Sequence, residues 1–149
     1  MQEHHISIGR YLSCLYRHTQ IFFERELSDY GLGHGTFSFL MILSKNDGIH
    51  QEKLSRFLNI DKATTARAIK RLMLLGYVER KQDPKDRRAY RLHLTKKGLS
   101  LKPILARTSA KWSEILTAGF DSEERIRVLE LLRKMSCNSV NFRESVLHK

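Results

Sequence analysis

The sequence predicts a mainly α-helical protein with one small β-hairpin. Apolar residues recur with helical spacing toward both ends of the chain, and the period changes to two only between residues 77 and 94. The chain has 149 residues with 2 Pro and 8 Gly, and no stretch has the composition of a linker. These observations favour one domain with appended helices.

The N-terminal part of the chain predicts two helices. The first covers residues 5–30 and ends at Gly31 and Gly33, because glycine readily adopts the backbone conformation that terminates a helix. The second covers residues 35–45. A turn is predicted at residues 46–48, where Asn, Asp and Gly follow each other.

The middle of the chain has the spacing of a helix-turn-helix. Ser55 is a small residue where the two helices cross, and Asn59 closes the first helix because it tolerates a left-handed backbone. Asp61 can cap the second helix, which runs to about Leu75 and stops at Gly76. A DNA major groove admits such a helix, and its N-terminal residues reach the base edges. The polar face of the second helix carries Lys62, Ala63, Thr64, Arg67 and Lys70.

A β-hairpin with a basic tip is predicted directly after this helix pair. Asp83 and Pro84 mark its turn, between strands that contain Val78 and Leu92. Four cations in one loop repel each other and contribute nothing to folding, but they suit a surface that lies on phosphates or in a minor groove. These cations are Lys81, Lys85, Arg87 and Arg88.

The C-terminal third predicts two further helices. Thr95 can cap a helix over residues 96–118 that is kinked at Pro103. Residues 121–124 have capping-box spacing and open a last helix over residues 122–147. The apolar positions of the terminal helices exceed what one subunit can bury, so the sequence predicts an interface between subunits.

Positive charge is concentrated in the middle of the chain. The net charge is +11, and residues 45–100 contain 15 Lys and Arg against 6 Asp and Glu. A segment this basic favours a polyanionic partner. Two Cys without a CxxC pair, no signal peptide and no apolar run of ~20 residues predict a reducing cytoplasm and no membrane partner.

The motifs together resemble the MarR family of winged helix-turn-helix transcription regulators. The likeness is carried by residues 54–67, by residues 71–80, and by the pieces at 83–89 and 94–98, which read DPKDRRA and LTKKG. The long flanking helices and the total length also fit. The resemblance therefore extends over essentially the whole chain.

The resemblance implies a fold and an activity. The fold is mainly α with a small two- to three-stranded β wing, in which residues 34–98 form a winged helix-turn-helix domain. Residues 1–33 and 99–149 would form a helical dimerisation body. The activity would be that of a homodimeric regulator, a repressor that binds a palindromic operator in double-stranded DNA and is released or modulated by a small-molecule effector such as a phenolic anion.

The resemblance also implies site residues. Arg88 would enter the minor groove at the wing tip, and Asp86 would pair with Arg88 and orient it. Carried over by position, the expected DNA contacts are Gln51, Lys53, Lys62, Ala63, Thr64, Arg67, Lys70, Arg71, Lys85, Asp86, Arg87 and Arg88.

An effector that is an aromatic anion would need a cation beside an aromatic pocket. Residues of both types occur where the dimerisation body would meet the winged domain, although each taken singly is also explained by core packing or surface charge. The candidates are Arg17, His18, Phe22, His34, Phe37, Met41 and Trp112.

Two alternatives keep the fold and change the signal. An oxidant sensor needs an exposed reactive thiolate, but Cys14 and Cys137 are expected to be buried as small apolar residues. A metal sensor needs clustered ligands, and the spacing of His4, His5 and His18 does not match a specific site. No metal and no cofactor is therefore predicted.

Three other function classes are disfavoured. An enzyme would need a catalytic motif, and the sequence has no P-loop, GxSxG or HExxH. An RNA-binding protein would need exposed stacking aromatics, whereas Phe57, Tyr77 and Tyr90 are expected in the core. A winged-helix module for protein interaction would not need so basic a segment.

Overall fold

A computed structural model describes residues 7–147 of the chain. Helices account for most of it, and one short antiparallel sheet lies in the middle of the chain. A short 3-10 helix, Ser28–Tyr30, follows the first α-helix. The elements are α1 (Ile8–Leu27), α2 (His34–Lys45), β1 (Ile49–His50), α3 (Gln51–Leu58), α4 (Lys62–Leu74), β2 (Val78–Gln82), β3 (Tyr90–Leu94), α5 (Lys96–Ser100), α6 (Lys102–Leu116) and α7 (Ser122–Leu147).

The sheet has the strand order β1-β3-β2, so the hairpin of β2 and β3 is extended by a third strand. Val78 pairs with Leu94 at the base of the hairpin, and Gln82 pairs with Tyr90 near its tip. The two-residue β1 adds Ile49 opposite Leu92. The expectation of a two- to three-stranded wing is confirmed with three strands.

The hydrophobic core joins the sheet to the helices around it. Leu92 from the central strand is fully buried together with side chains from five helices. Each fully buried aliphatic or aromatic side chain contributes roughly 1.5–3 kcal/mol through removal of apolar surface from water. The others are Leu27, Phe39, Leu40, Leu43, Leu54, Ile69, Leu72 and Leu105.

Gly98 marks a very close approach between α5 and the segment before β2. A Cβ atom at this position would lie 2.1 Å from the carbonyl oxygen of Tyr77, which is far inside van der Waals contact. The same oxygen accepts the backbone N–H of Thr95 at 3.1 Å. Only glycine allows this packing of α5 against the base of the wing.

Several element boundaries differ from the sequence-based prediction. The helix expected over 96–118 is two helices, α5 and α6, which are separated at Leu101. Pro103 does not kink a helix, because it lies in the first turn of α6, where a missing N–H costs no helical hydrogen bond. Gly31 ends the 3-10 helix with φ 68°, whereas Gly33 precedes α2 and is its N-cap. Of the first helix expected over 5–30, residues 5 and 6 lie outside the described part.

Two aromatic residues expected in the core are exposed. Phe57 is 55% exposed and Tyr90 is 43% exposed, while Tyr77 is buried as expected. An amphipathic pattern places apolar residues on one face, but it does not tell which of them overhang the edge of the core. Both Cys residues also differ from expectation, because Cys137 is exposed and Cys14 is half-buried in the single chain.

The chain divides into two compact units, Met1–Trp112 and Ser113–Lys149. The first contains the core and the sheet. The second contains α7, whose first turn has the predicted capping box: Asp121 Oδ1 accepts from the Glu124 N–H at 2.8 Å, and Glu124 Oε2 accepts from the Asp121 N–H at 2.9 Å. Among residues 7–147, no helix is both long and apolar enough to cross a membrane.

Candidate nucleic-acid interface

The turn between α3 and α4 is fixed by three polar residues. Asn59 has a left-handed backbone with φ 52°, as its position in the sequence predicted. Ser55 is buried, and its hydroxyl donates to the carbonyl of Ile60 at 2.5 Å, across the turn. Asp61 caps α4, because its Oδ1 accepts the N–H of Thr64 at 2.8 Å. This bond is the main reason why the pKa of Asp61 lies below its usual value.

Helix α4 has one buried face and one exposed, basic face. Thr65, Ala68, Ile69 and Leu72 are buried against the core. Because those four residues recur at helical spacing, the cations between them point to solvent. Thr64 is half-buried, and its hydroxyl accepts from Arg67 Nη2 at 2.9 Å. The exposed residues of this face are Lys62, Ala63, Arg67 and Lys70.

Asp83 connects the wing to the start of α3. Its side chain is only 3% exposed, and its Oδ2 lies 2.5 Å from His50 Nε2 and accepts from Arg91 Nε at 2.8 Å. Its Oδ1 accepts the N–H of Lys85 at 2.8 Å. The contact with His50, followed by the Lys85 N–H, holds the pKa of Asp83 far below its usual range. We call His50, Asp83 and Arg91 the Asp83 cluster.

A second carboxylate–histidine pair lies at the other end of β1. Asp47 Oδ2 is 2.9 Å from His93 Nδ1, and Asp47 Oδ1 accepts the N–H of Leu94 at 3.0 Å. Burial raises the pKa of Asp47, but these hydrogen bonds outweigh it and the net pKa is lowered. Arg91 Nη1 also donates to the carbonyl of Gly48 at 3.2 Å. Polar contacts thus tie the 46–50 segment to β3.

An open groove of about 590 Å³ separates the wing from the helix-turn-helix. Lys62 of α4 and Arg88 of the wing tip both line it, so cations from two different elements border the same space. We call it the wing groove. It is lined by His50, Gln51, Glu52, Ser55, Lys62, Thr65, Arg80, Asp86, Arg88, Ala89 and Tyr90.

The groove brings together four of the residues expected to contact DNA. These are Gln51, Lys62, Asp86 and Arg88. The other eight lie outside it, and all of them except the half-buried Thr64 are exposed. They are Lys53, Ala63, Thr64, Arg67, Lys70, Arg71, Lys85 and Arg87.

Asp86 contacts the backbone of Arg88 in the wing loop. Asp86 Oδ1 accepts the backbone N–H of Arg88 at 2.9 Å, and the Arg88 side chain is exposed. The carboxylate thus shapes the loop that carries Arg88, and its pairing with the guanidinium stays a prediction from the resemblance. The wing carboxylate that does bind an arginine side chain is Asp83, with Arg91.

Several groove residues were missed by the sequence reasoning. Glu52 is bound to two cations, and Arg80 lies over the ring of Tyr90 with its Cζ 4.4 Å from the centroid. His50 was missed because its partner is 33 residues away. The alternation of β2 and β3 could have placed Arg80 near Tyr90, since residues two apart on facing strands are diagonal neighbours.

The aromatic candidates for effector binding pack together where α1, α2 and α6 meet. Phe22 stacks on Trp112 with ring centroids 4.7 Å apart, and the ring centroid of Phe37 lies 4.2 Å from that of Phe23. His34 is half-buried among Tyr16 and Phe23, and its burial lowers its pKa although Glu24 acts in the opposite direction.

The remaining effector candidates are placed differently. Trp112 Nε1 donates to Thr19 Oγ1 at 3.2 Å, which ties α6 to α1. Met41 packs against the core. Arg17 is exposed on α1, and the exposed His18 lies beside Cys14, with Nδ1 3.5 Å from the sulfur. Of the residues that the structure describes, no three His, Cys, Asp or Glu form a group that could hold a metal ion.

The comparisons with known proteins agree on one family of transcription regulators. The family model described as "MarR family" matches residues 32–90. The uncharacterised HTH-type transcriptional regulator YybA of Bacillus subtilis is 34% identical over 113 residues, which are 76% of this chain and 75% of YybA. A solved MarR transcriptional regulator from Methanosarcina mazei is 46% identical with a TM-score of 0.84, over 91% of this chain and 97% of the other.

Two further solved structures concern DNA and ligand binding. A putative MarR family regulator from Listeria monocytogenes, solved with a 26mer DNA, is 30% identical with a TM-score of 0.83, over 89% of this chain and 88% of the other. Bordetella bronchiseptica BpsR, whose DNA binding is regulated by 6-hydroxynicotinic acid, is 26% identical with a TM-score of 0.79, over 88% of this chain and 94% of that protein.

Proposed function

Because this chain belongs to the MarR family of DNA-binding transcription regulators, we propose that it is a homodimeric repressor of a palindromic operator. The observation that carries this proposal is the wing groove. Lys62 at the start of α4 and Arg88 at the wing tip face one open space, and a helix beside a wing can engage adjacent grooves of a duplex.

We assign distinct roles to the exposed residues of the interface. The outward-facing residues in the N-terminal part of α4, which are Lys62, Ala63, Thr64 and Arg67, lie in the major groove, and Arg88 enters the minor groove. The other cations of the interface bind phosphates, which position the protein without reading sequence. These are Lys53, Lys70, Arg71, Lys85 and Arg87, while Gln51 and the Asp86 loop border the duplex.

The exposed apolar side chains of the terminal helices support a homodimer. No residue of α7 is buried in the single chain, although the helix has 26 residues. Residues 1–33 and 99–149 then form the dimerisation body around the winged domain at 34–98, and the two recognition helices lie ~34 Å apart, one turn of DNA. Exposed apolar residues of these helices include Ile8, Tyr11, Leu12, Leu15, Ile126, Leu129, Leu132 and Phe142.

The aromatic cluster supports a small aromatic effector. Phe22, His34, Phe37 and Trp112 supply aromatic rings where α1, α2 and α6 meet, and we assign the exposed Arg17 of α1 as the cation for an anionic group. The DNA binding of BpsR is regulated by 6-hydroxynicotinic acid, which is a small aromatic acid. An effector changes DNA binding only if it binds one arrangement of the two winged domains better than the other.

A second candidate signal is an oxidant, and the contact between Cys14 and His18 favours it. The imidazole Nδ1 of His18 lies 3.5 Å from the Cys14 sulfur. In this reading the sulfur attacks the O–O bond of a hydroperoxide and is oxidised to a sulfenic acid, while the leaving oxygen departs as water or alcohol after it takes up the thiol proton.

The proposed function is tested by selection of duplexes from a random library with the purified protein, at ~50 and ~200 mM salt. Enrichment of an inverted repeat whose binding falls steeply with salt supports a dimeric DNA regulator. No enrichment, together with weak binding that does not respond to salt, contradicts it and favours a winged module for protein contact.

The selected duplex then separates the two candidate signals. Release by aromatic carboxylates or phenols, lost in Arg17→Ala, supports an aromatic effector. Release by hydroperoxide, lost in Cys14→Ser and retained in Cys137→Ser, supports the oxidant. If neither class releases the duplex, both candidate signals are wrong, while the DNA-binding assignment stands.

A further inference from the structure

The acidic side chains of the basic segment fall into two groups. Four of the six between residues 45 and 100 each accept a backbone N–H and so shape the fold. The two that do not are Glu52 and Glu79. Glu79 pairs with Lys81 on its own strand at 2.9 Å. Glu52 pairs with Arg56 on its own helix and with Lys62 across the helix-turn-helix. The four structural acids are Asp47, Asp61, Asp83 and Asp86.

Glu52 joins two cations at the edge of the wing groove. Its Oε1 lies 3.0 Å from Arg56 Nη2 and 3.3 Å from Lys62 Nζ. Glu52 is in the first turn of α3, and Lys62 is the first residue of α4. Glu52 is 55% exposed, so it contributes little to the core, and the hydrogen bond from Arg56 is the main cause of its lowered pKa.

We propose that Glu52 is a specificity-determining residue of this interface, which keeps Lys62 and Arg56 paired in the free protein and so weakens their binding to arbitrary DNA. The proposal rests on the proposed function, because it concerns the choice among duplexes. It predicts that a neutral residue at position 52 increases DNA affinity and decreases discrimination.

The physical argument compares two partners for Lys62. A phosphate of any duplex can accept from its ammonium group, and this contact carries no sequence information. With Glu52 present, Lys62 must exchange a carboxylate for a phosphate, and the remaining negative charge of Glu52 faces the duplex.

At the operator, the proposal places Lys62 in the major groove, where it reaches a base edge without leaving Glu52 for a phosphate. The cost of the exchange then falls on arbitrary duplexes and not on the operator. An exposed ion pair is weak, so removal of the carboxylate should change affinity about two- to fivefold.

The test measures Kd of wild-type protein and Glu52→Gln on the selected duplex and on a random duplex of equal length. For Glu52→Gln, we expect affinity for the random duplex to rise about two- to fivefold, and affinity for the selected duplex to change by less than about twofold. The slope of log affinity against log salt on the random duplex should steepen by up to ~0.9, because Lys62 then neutralises one more phosphate.

Glu79→Gln is the matched control, since it removes the same charge from the same basic segment and from another lysine pair. We expect it to shift both duplexes by one common factor. If Glu52→Gln also shifts the affinity for both duplexes by one common factor, only net charge matters and the proposal is overturned. The same holds if Glu52→Gln keeps the wild-type ratio of affinity for the selected duplex to affinity for the random duplex.

A double-mutant cycle identifies the cation through which Glu52 acts. In a Lys62→Ala background, Glu52→Gln should give a smaller gain on the random duplex than it does alone, and an equal gain would exclude Lys62. If the wild-type protein enriches no duplex, the proposed function and this inference both fail. If it enriches one and the ratio is unchanged by Glu52→Gln, only this inference fails.

Discussion

His50 Nε2 lies 2.5 Å from Asp83 Oδ2, and this contact joins the residue before α3 to the start of the wing-tip loop. The two residues are 33 positions apart, and Arg91 from β3 binds the same oxygen at 2.8 Å. The wing is therefore held against the helix-turn-helix by a buried carboxylate as well as by strand pairing. A change at Asp83 should alter both the stability of the folded chain and the position of the Arg88 side chain at the wing tip.

Asp83→Asn should destabilise the protein. The amide removes the charge that binds His50 and Arg91, and we expect Tm to fall by roughly 5 °C or more in a thermal melt followed by circular dichroism. Asp86→Asn is the matched control, because Asp86 is an exposed side chain of the same loop whose Oδ1 accepts one backbone N–H. If both variants have the same Tm, the structural role of the Asp83 cluster is contradicted.

The contribution of Asp83 should depend on pH with a definite sign. Because the folded-state pKa of Asp83 is lowered, its stabilisation is fully present above the ordinary value of 3.8 and is lost as the pH falls from there toward the folded-state pKa. Urea unfolding of wild-type protein and Asp83→Asn should therefore differ most at neutral pH and converge in acid. A difference that grows as the pH falls would have the wrong sign.

Arg88→Ala should weaken binding to the selected duplex by roughly 1–3 kcal/mol. The side chain is exposed at the wing tip, so its removal should leave the Tm nearly unchanged. Titration of a labelled duplex measures the loss, with Arg107→Ala, an exposed cation of α6, as the control for net charge. Equal affinities of the two variants would remove Arg88 from the interface.

Gly98→Ala should destabilise the fold by roughly 1–3 kcal/mol, because the added Cβ would collide with the Tyr77 carbonyl oxygen and force α5 away from the wing. Gly35→Ala adds the same atom on α2, where nothing lies within 4 Å, and should be neutral or stabilising. Urea unfolding at pH 7 measures the free energy of unfolding of both variants. A Gly98→Ala protein as stable as Gly35→Ala would contradict the close packing.

Leu132→Ala should weaken dimerisation. Leu132 is exposed on α7 in the single chain, and loss of its side chain from an interface should raise the dimer dissociation constant about tenfold, which corresponds to ~1.4 kcal/mol. Sedimentation velocity over a dilution series measures the constant. Leu74→Ala removes a leucine that is even more exposed, at the end of α4, and should leave the constant unchanged. A dimer constant that stays at the wild-type value in Leu132→Ala places the interface elsewhere.

The parts of the fold that depend on local chemistry were predicted well. Asn59 with its left-handed backbone and Asp61 with its N-cap bond are determined by a few neighbouring residues, and both predictions are confirmed. The two-residue β1 was missed, because so short a strand has no period to detect. Pro103 was misread as a kink because the position of a proline within a helix cannot be known before the helix start is known.

The parts of the interface that depend on tertiary contacts were predicted less well. The sequence indicated the basic face of α4 and the basic wing tip, since charge and helical spacing are both visible in it. It did not indicate that Glu52 would bind Lys62, because that contact depends on the angle between α3 and α4. It also did not indicate that Asp83 would bind Arg91, because that contact depends on the direction in which the side chain leaves the wing loop.

Helix α7 has a consequence for how the folded state responds to dilution. A 26-residue helix that buries none of its side chains gains little from its own subunit, so in the homodimer proposed above its order comes from association. Folding and assembly then form one bimolecular equilibrium, in which mass action sets the fraction of folded chains. At a protein concentration below the dimer dissociation constant, a chain that separates from its partner would also lose the order of α7. The concentration of the protein therefore helps to determine how much of the DNA-binding form exists.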